Sequence, residues 1–252
     1  NLDFEIKYLE KNKLGKNYFF ILKSIIFTFF LFFWIKFFVK KNMHDERIKN
    51  IVLIDTFATE DSLYCERHYY GLDNFFYKKK IRNIFFVPTF VIQFNILKII
   101  KIINAIKKRR YLFKEHHLKL QDIFFACLYF ARTKKFMQKF KRYENWDLTT
   151  VILHEIKSSK DYYAKIISLL NYRFAKNLSE ENFPLYKTIN WFENQVVDKG
   201  WNFGFRKYFN KIKIYGYRGF PSFGQYMNAI PSGYEDSAKV IPKEIIVIGQ
   251  AY

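Results

Sequence analysis

The longest apolar stretch of the chain lies near its start, at residues 18–39, where only Lys23 and Lys36 carry charge. Its polar positions do not share one face of a helix, so the pattern predicts a helix that is apolar nearly all round. The charge-free part between the two lysines would span only about 18 Å, against roughly 30 Å for a hydrocarbon core. Both lysines would have to snorkel for the segment to cross a bilayer. A membrane-spanning helix, an in-plane anchor and a buried helix all fit this pattern.

Beyond residue 50, short apolar runs alternate with segments of helical spacing. Strands are predicted at 51–57, 83–87, 188–192, 212–215 and 244–248. Helices are predicted at 94–108, 118–141, 147–157, 162–176 and 194–208. We expect Pro88 to end the second strand and Gly216 to end the fourth.

This alternation predicts an α/β fold, with a Rossmann-like parallel sheet flanked by helices and preceded by the apolar N-terminal helix. The domain organisation that follows is an N-terminal segment at 1–49 and a Rossmann-like domain at 50–252.

Composition and charge narrow the classes of partner. The 252 residues are half hydrophobic, which excludes disorder, and contain two cysteines, which excludes a disulfide-rich scaffold. The formal charge of +20 favours polyanions: nucleic acid, anionic lipid or phosphorylated substrates such as sugar nucleotides. Nucleic acid is the least favoured of these, because the aromatic residues are mostly Phe in apolar runs and no RNA- or DNA-binding motif occurs.

The common phosphate-binding and hydrolase motifs, including GxGxxG, GxSxG, HExxH and DxD, are absent from the sequence. Candidate chemistry therefore rests on polar residues at predicted element ends. Glu193 follows a strand and opens a helix, where it could act as a general base or simply cap the helix. Asn194 and Gln195 beside it could bind sugar hydroxyls. His154 and Glu155 could serve as an acid or a base, or form an exposed helix end.

Two further positions are candidates for substrate binding. Asp55 lies near the end of the first strand with Arg67 downstream, and it could contact a ligand or cap a turn. Arg218 follows the fourth strand and could hold a phosphate or carboxylate with two hydrogen bonds, with Gly219 allowing close backbone approach. The alternative for Arg218 is a turn with a solvated side chain.

The order of these pieces is distinctive. Asp-Thr at a strand end is followed by Arg-His-Tyr-Tyr-Gly-Leu, His-Glu, Glu-Asn-Gln, Gly-Tyr-Arg-Gly-Phe and Val-Ile-Pro-Lys-Glu-Ile-Ile-Val-Ile-Gly. This order resembles the N-terminal, acceptor-side half of bacterial surface-polysaccharide glycosyltransferases of the GT-B type. The resemblance covers roughly residues 50–252, and its most specific parts are 188–195 and 212–220.

The resemblance implies transfer of a sugar from a nucleotide-activated donor, without a metal or other cofactor. It implies Glu193 or Glu155 as the base and places Arg218 near the cleft. It also implies a second Rossmann domain after residue 252, without which the fragment would be inactive alone.

We expect a nucleotide sugar, a glycan or lipid-linked acceptor and an anionic membrane surface as partners. The expected location is the cytoplasmic face of the inner membrane, either peripheral or anchored by a single helix. Two alternatives stay open: a teichoic-acid-type polyol-phosphate transferase, and a non-catalytic basic module that binds membrane or nucleic acid.

Overall fold

The structure, a computed structural model, describes residues 2–41, 49–58, 69, 71–91, 95–107, 110–136, 161–219 and 230–247. The strands are β1 (Ile51–Ala58), β2 (Ile84–Phe90), β3 (Leu185–Trp191), β4 (Lys213–Arg218) and β5 (Glu244–Val247). The helices are α1 (Leu2–Phe38), α2 (Leu72–Lys78), α3 (Ile96–Ile106), α4 (Leu120–Cys127), α5 (Tyr129–Phe136), α6 (Tyr162–Glu180), α7 (Val196–Tyr208) and α8 (Gly233–Ser237). A short 3₁₀ turn at Lys114–His116 precedes α4.

The five strands form one sheet in the order β2-β1-β3-β4-β5, and every pair is parallel. This confirms the predicted α/β fold with a parallel sheet and an apolar N-terminal helix. The chain passes from β1 to β2 on one side and then crosses to β3 on the other. Because ligands of open α/β sheets bind where the strand order reverses, the crevice expected to hold a ligand lies at the carboxyl ends of β1 and β3.

The hydrophobic core lies on both faces of the sheet, because successive strand residues point to opposite sides. Leu53 belongs to a cluster with residues of α4, α6 and α7, while Ile54 belongs to a cluster with residues of α1 and α3. Both β1 residues are almost completely buried. The interior strand β1 is therefore mostly apolar along its length, as strands covered on both faces are.

Helix α1 packs one face on the domain. Phe27, Leu31, Ile35 and Val39, spaced four residues apart, lie in the core cluster, and Ile35 is 0% exposed. The Lys36 ammonium donates hydrogen bonds to two main-chain carbonyls just before α4, including one of 2.9 Å to Leu118. By length and composition, Tyr18–Phe38 could also cross a membrane, although a third of that segment is buried against the protein.

Two strands continue past the residues expected to end them. Pro88 lies inside β2, which is tolerated because β2 is an edge strand, where a missing N–H leaves no central ladder bond unmade. Gly216 lies inside β4, where a Cβ would come within 2.6 Å of Pro242 and 2.8 Å of Phe192. Close packing, rather than chain reversal, therefore explains this glycine.

The helices differ from the prediction in two places, and one predicted helix is not tested. The long helix predicted at 118–141 is broken at Leu128 into α4 and α5, and its remainder after Phe136 lies outside the described residues. The predicted helix at 147–157 also lies outside them. The short helices α2 and α8 were not predicted, because elements of seven and five residues are too short to show a helical period.

Candidate functional site

Glu193 lies in the loop between β3 and α7, at the carboxyl edge of the sheet. One carboxylate oxygen accepts a hydrogen bond from the Trp191 indole Nε1 at 2.6 Å, and the other accepts one from the Gln195 side-chain amide. Its side chain is half-buried, and that of Gln195 is exposed. Since a carboxylate has about four acceptor positions, these two bonds orient Glu193 and leave it able to accept the proton of a further hydroxyl.

Asn194 is buried and holds neighbouring structure together. Its backbone is in the left-handed region, with φ of 59°, which Asn tolerates better than most residues. Its amide nitrogen donates to Glu235 at 3.3 Å, and its oxygen accepts from Lys199, which also pairs with Glu235. Burial opposes ionisation of Glu235, but hydrogen bonds from Lys199 and the Ser232 amide outweigh it and lower the pKa of Glu235 to about 2. A sugar hydroxyl would have to displace these partners to bind Asn194.

Arg218 is the last residue of β4 and lies at the same edge as Glu193, because Trp191 and Tyr217 are paired across β3 and β4. The Arg218 side chain is half-buried. At Gly219 a Cβ would lie 2.4 Å from the Trp191 indole, so no larger residue fits without moving that ring. Gly219 thus supports Glu193 indirectly, since the same indole donates to the Glu193 carboxylate.

Asp55 lies within β1, three residues before the strand ends, and is 1% exposed. It accepts a hydrogen bond from the Thr89 hydroxyl at 3.0 Å. Lys114 in turn donates to the Thr89 hydroxyl at 3.1 Å and to Asn171 at 2.7 Å. Burial raises the pKa of Asp55 to about 6, although the Lys114 charge and the Thr89 bond lower it. Asp55 is therefore enclosed in a polar chain rather than placed at an open strand end.

Asp198, in the first turn of α7, lies close enough to Asp55 for the two carboxyl groups to interact. One of its carboxyl oxygens accepts hydrogen bonds from the backbone amides of Glu193 and Gln195, each at 3.0 Å. Burial raises its pKa to about 8, the two amide bonds lower it, and the charges of Asp55 and Glu193 raise it further. Asp198 therefore keeps its proton to a higher pH than an ordinary carboxyl group does. Asp198 fixes the backbone of the loop that carries Glu193.

Two polar side chains near Asp55, one of them half-buried, have buried atoms without a hydrogen-bond partner among the described residues. The Tyr69 hydroxyl and both amide atoms of Asn190 accept and donate no hydrogen bond there. Tyr69 packs its ring against Trp191 at a centroid distance of 6.1 Å, and burial together with the charges of Asp55 and Asp198 raises its pKa. The pairing of Ile54 with Ile189 places Asn190 in the neighbouring position across from Asp55. Unpartnered buried polar groups at a strand-order reversal are candidates for ligand or water contact.

The structure thus brings Glu193, Asn194, Gln195, Arg218 and Gly219 to one edge of the sheet, with Asp55 enclosed beneath them. Arg67, His154 and Glu155 lie outside the described residues. Their assigned roles, like those of the other candidates, stay predictions.

Sequence analysis missed Tyr69, Asn190 and Asp198. Asn190 had a visible signal, because a polar residue interrupts the apolar run of β3. Asp198 had one too: an acidic residue at the third helical position is typical of a capping box. Tyr69 had none, since only the fold brings it to Trp191.

In the described ranges, no group of three His, Cys, Asp or Glu side chains is arranged to hold a metal ion. The metal-free reaction implied by the resemblance stays a prediction.

Comparison with known proteins adds no relative: no protein-family model, no curated protein and no solved structure matches the chain. The structure itself shows an α/β fold with a five-stranded parallel sheet.

Proposed function

We propose that this chain is the acceptor-side part of a glycosyltransferase, which transfers a sugar from a nucleotide-activated donor to a bacterial surface glycan. The observation that carries the proposal is the position of Glu193 and Arg218. A carboxylate and a guanidinium share the carboxyl edge of β3 and β4, beside the strand-order reversal where α/β sheets bind ligands.

In the proposed reaction, the Glu193 carboxylate takes the proton of an acceptor hydroxyl as that oxygen attacks the anomeric carbon of the donor. The bond between the anomeric carbon and the donor phosphate oxygen breaks, and the nucleotide leaves with the bonding electrons. Arg218 balances the phosphate charge that develops on the leaving group. Gln195 and Trp191 orient Glu193, which accounts for the two hydrogen bonds to its carboxylate.

Buried polar residues beneath the carboxyl edge support this arrangement. Asp198 holds the amides of Glu193 and Gln195 and thereby sets the course of the loop. Asp55, Thr89 and Lys114 form the polar layer under the edge. We assign these residues to positioning rather than to contact with substrate.

The partners in this proposal are a nucleotide sugar, a glycan or lipid-linked acceptor and an anionic membrane surface. The apolar helix α1 and the +20 charge support a place at the cytoplasmic face of the inner membrane. His154 and Glu155 remain alternative acid and base candidates on the grounds of sequence.

The role of Glu193 is tested with Glu193→Gln in the full-length protein, assayed for sugar transfer from a panel of nucleotide sugars. We expect the turnover rate to fall by about 100-fold or more, since a general base typically contributes 10²–10⁴. The matched control is Glu244→Gln, the same change at an exposed glutamate where β5 begins, at the opposite edge of the sheet. The control should keep the wild-type rate.

Full activity of Glu193→Gln would show that another group is the base, and Glu155→Gln, assayed in parallel, would identify whether it is Glu155. Including a nucleotide-activated polyol in the donor panel separates the two transferase classes. Turnover of the polyol donor alone would replace sugar transfer by polyol-phosphate transfer.

A further inference from the structure

The outward face of α1 is a continuous apolar stripe. Phe19, Leu22, Ile26, Phe33 and Phe37 share the side of the helix opposite the buried residues, and their exposed fractions range from 41% to 72%. The stripe covers 18 helical steps, or about 27 Å. An uninterrupted outward row of large apolar side chains of this length is unusual on a protein that meets only water.

Helix α4 extends this apolar surface. Leu120, Phe124 and Leu128, spaced four residues apart along and just after α4, are exposed by 43% to 48%. Phe124 packs edge to face on Phe29 of α1, with ring centroids 5.2 Å apart. Phe29 lies beside the outward stripe, so the two rows form one surface. We call these eight outward residues of α1 and α4 the apolar face.

Every charged residue in the part of α1 that carries the apolar face, and just after it, is a lysine. From residue 18 to residue 41 the sequence contains Lys23, Lys36, Lys40 and Lys41 and no acidic residue. Lys36 binds carbonyl groups of the domain, whereas Lys40 and Lys41 are exposed just past the end of the helix. A lysine-flanked apolar surface matches an anionic leaflet, where acyl chains take the apolar groups and headgroups take the ammonium groups.

Helix α1 runs antiparallel to the strands. Phe27 contacts Tyr163, whose hydroxyl donates to the carbonyl of Phe90 at the end of β2. Lys36, nine residues later, binds the carbonyl of Leu118, and the adjacent His117 carbonyl accepts a hydrogen bond from Asn177 near the end of α6, shortly before β3 begins. The part of α1 that precedes Phe27 therefore extends beyond the carboxyl edge, where the candidate site lies.

We propose that the apolar face docks into the anionic leaflet of a bilayer, with α1 lying in the membrane plane rather than crossing it. Crossing would withdraw Leu31 and Ile35 from the protein core, whereas in-plane docking leaves that packing intact. A second copy of the chain is a poorer occupant, because pairing two such faces would bring their lysines together. The proposal deepens the membrane part of the proposed function by assigning the surface that docks, but it does not rest on sugar transfer. It would place a lipid-linked acceptor near the candidate site.

Docking is tested by sedimentation of the full-length protein with preformed vesicles. We expect binding to vesicles that contain phosphatidylglycerol, and binding weaker by at least about fivefold to pure phosphatidylcholine, since each lysine near an anionic surface contributes about 1 kcal/mol. The triple variant Leu22→Gln, Ile26→Gln, Phe33→Gln should bind about 100-fold more weakly, because each lost apolar contact is worth roughly fivefold.

The matched control is Ile230→Gln with Tyr234→Gln, which makes the same kind of change at exposed apolar positions at and before α8. It should bind vesicles as the wild type does. Equal binding of the wild type and the triple variant would overturn the proposal. So would a wild-type dimer that the triple variant converts to a monomer without any vesicle binding, because the occupant would then be a second copy.

In-plane docking is separated from spanning by labelling. Tyr18→Cys and Lys40→Cys, each in vesicle-bound protein, should both react with a membrane-impermeant thiol reagent added outside the vesicles. Mass spectrometry of the peptide that carries the new cysteine separates its labelling from that of Cys65 and Cys127. Protection of one position but not the other would mean that the segment crosses, and would overturn the in-plane arrangement. Neither experiment uses a nucleotide sugar, so failure of sugar transfer would not affect these results.

Discussion

The substitution Asp198→Asn should flatten the pH dependence of stability. Burial raises the pKa of Asp198 to about 8, so the folded protein holds this proton over a range in which the unfolded chain, with an ordinary value of 3.8, has released it. The folded state therefore binds more protons between about pH 4 and pH 8, and stability falls as the pH rises through that window. The substituted carboxamide cannot ionise, and its oxygen can still accept a hydrogen bond from a backbone amide.

The magnitude follows from the two pKa values. Between pH 5 and pH 8, ionisation of Asp198 should lower the free energy of unfolding of the wild type by at most about 4 kcal/mol. Asp55, with a pKa of about 6, shifts stability in the same direction, by about 1 kcal/mol. Burial lowers the pKa of His116 to about 4, which makes stability rise with pH over the same range and so opposes the effect of Asp55. The variant should retain only the changes from these two groups, which partly cancel.

The assay is urea unfolding followed by far-ultraviolet circular dichroism at pH 5, 6.5 and 8. Asp161→Asn, the same change at an exposed aspartate before α6, is the matched control and should follow the wild-type curve. If Asp198→Asn also runs parallel to the wild type across these pH values, Asp198 is ionised in the folded protein and the argument from its burial is wrong.

Three further substitutions test the packing of α1 on the domain and the packing around the site. Ile35→Ala should lower the free energy of unfolding by about 2–4 kcal/mol in urea titrations, because it empties the core under α1; a cost near zero would mean that α1 is not docked. Gly219→Ala should displace the Trp191 indole, shift tryptophan fluorescence and slow sugar transfer, whereas Gly233→Ala, with open space around it, should do neither. Lys114→Met should cost about 3 kcal/mol at pH 7, measured by urea unfolding, since it removes the cation of a buried polar chain; an unchanged midpoint would contradict that role.

The architecture was predictable because its signals are local. The β1 and β5 runs and the helical spacing of α3, α6 and α7 appear within windows of a few residues. Pro88 misled the prediction because its effect depends on whether β2 is central or at the edge, which only the sheet order decides.

The docking of α1 could not be predicted from its pattern. From residue 18 onward all its faces are apolar, so periodicity cannot tell which face meets the protein. Contacts with the rest of the protein determine which face of α1 is buried. Ile35 lies in the core, whereas Phe37, two residues later, is exposed.

The position of two candidates at the carboxyl edge was predictable, because Glu193 follows β3 and Arg218 is the last residue of β4; their roles stay predictions. The buried polar residues beneath the site could not be predicted, because they come from distant parts of the chain. Asp55 belongs to β1, Lys114 to the turn before α4 and Asp198 to α7. Their altered pKa values arise from burial, which no local pattern of charged residues encodes.

Mass spectrometry of the acceptor tests the proposed function most directly. Full-length protein is incubated with a nucleotide sugar and a lipid-linked glycan acceptor, and the mass of the acceptor is measured before and after. Sugar transfer predicts a gain of one sugar residue per nucleotide released. A gain that includes phosphate, or nucleotide release with no gain in acceptor mass, would contradict it.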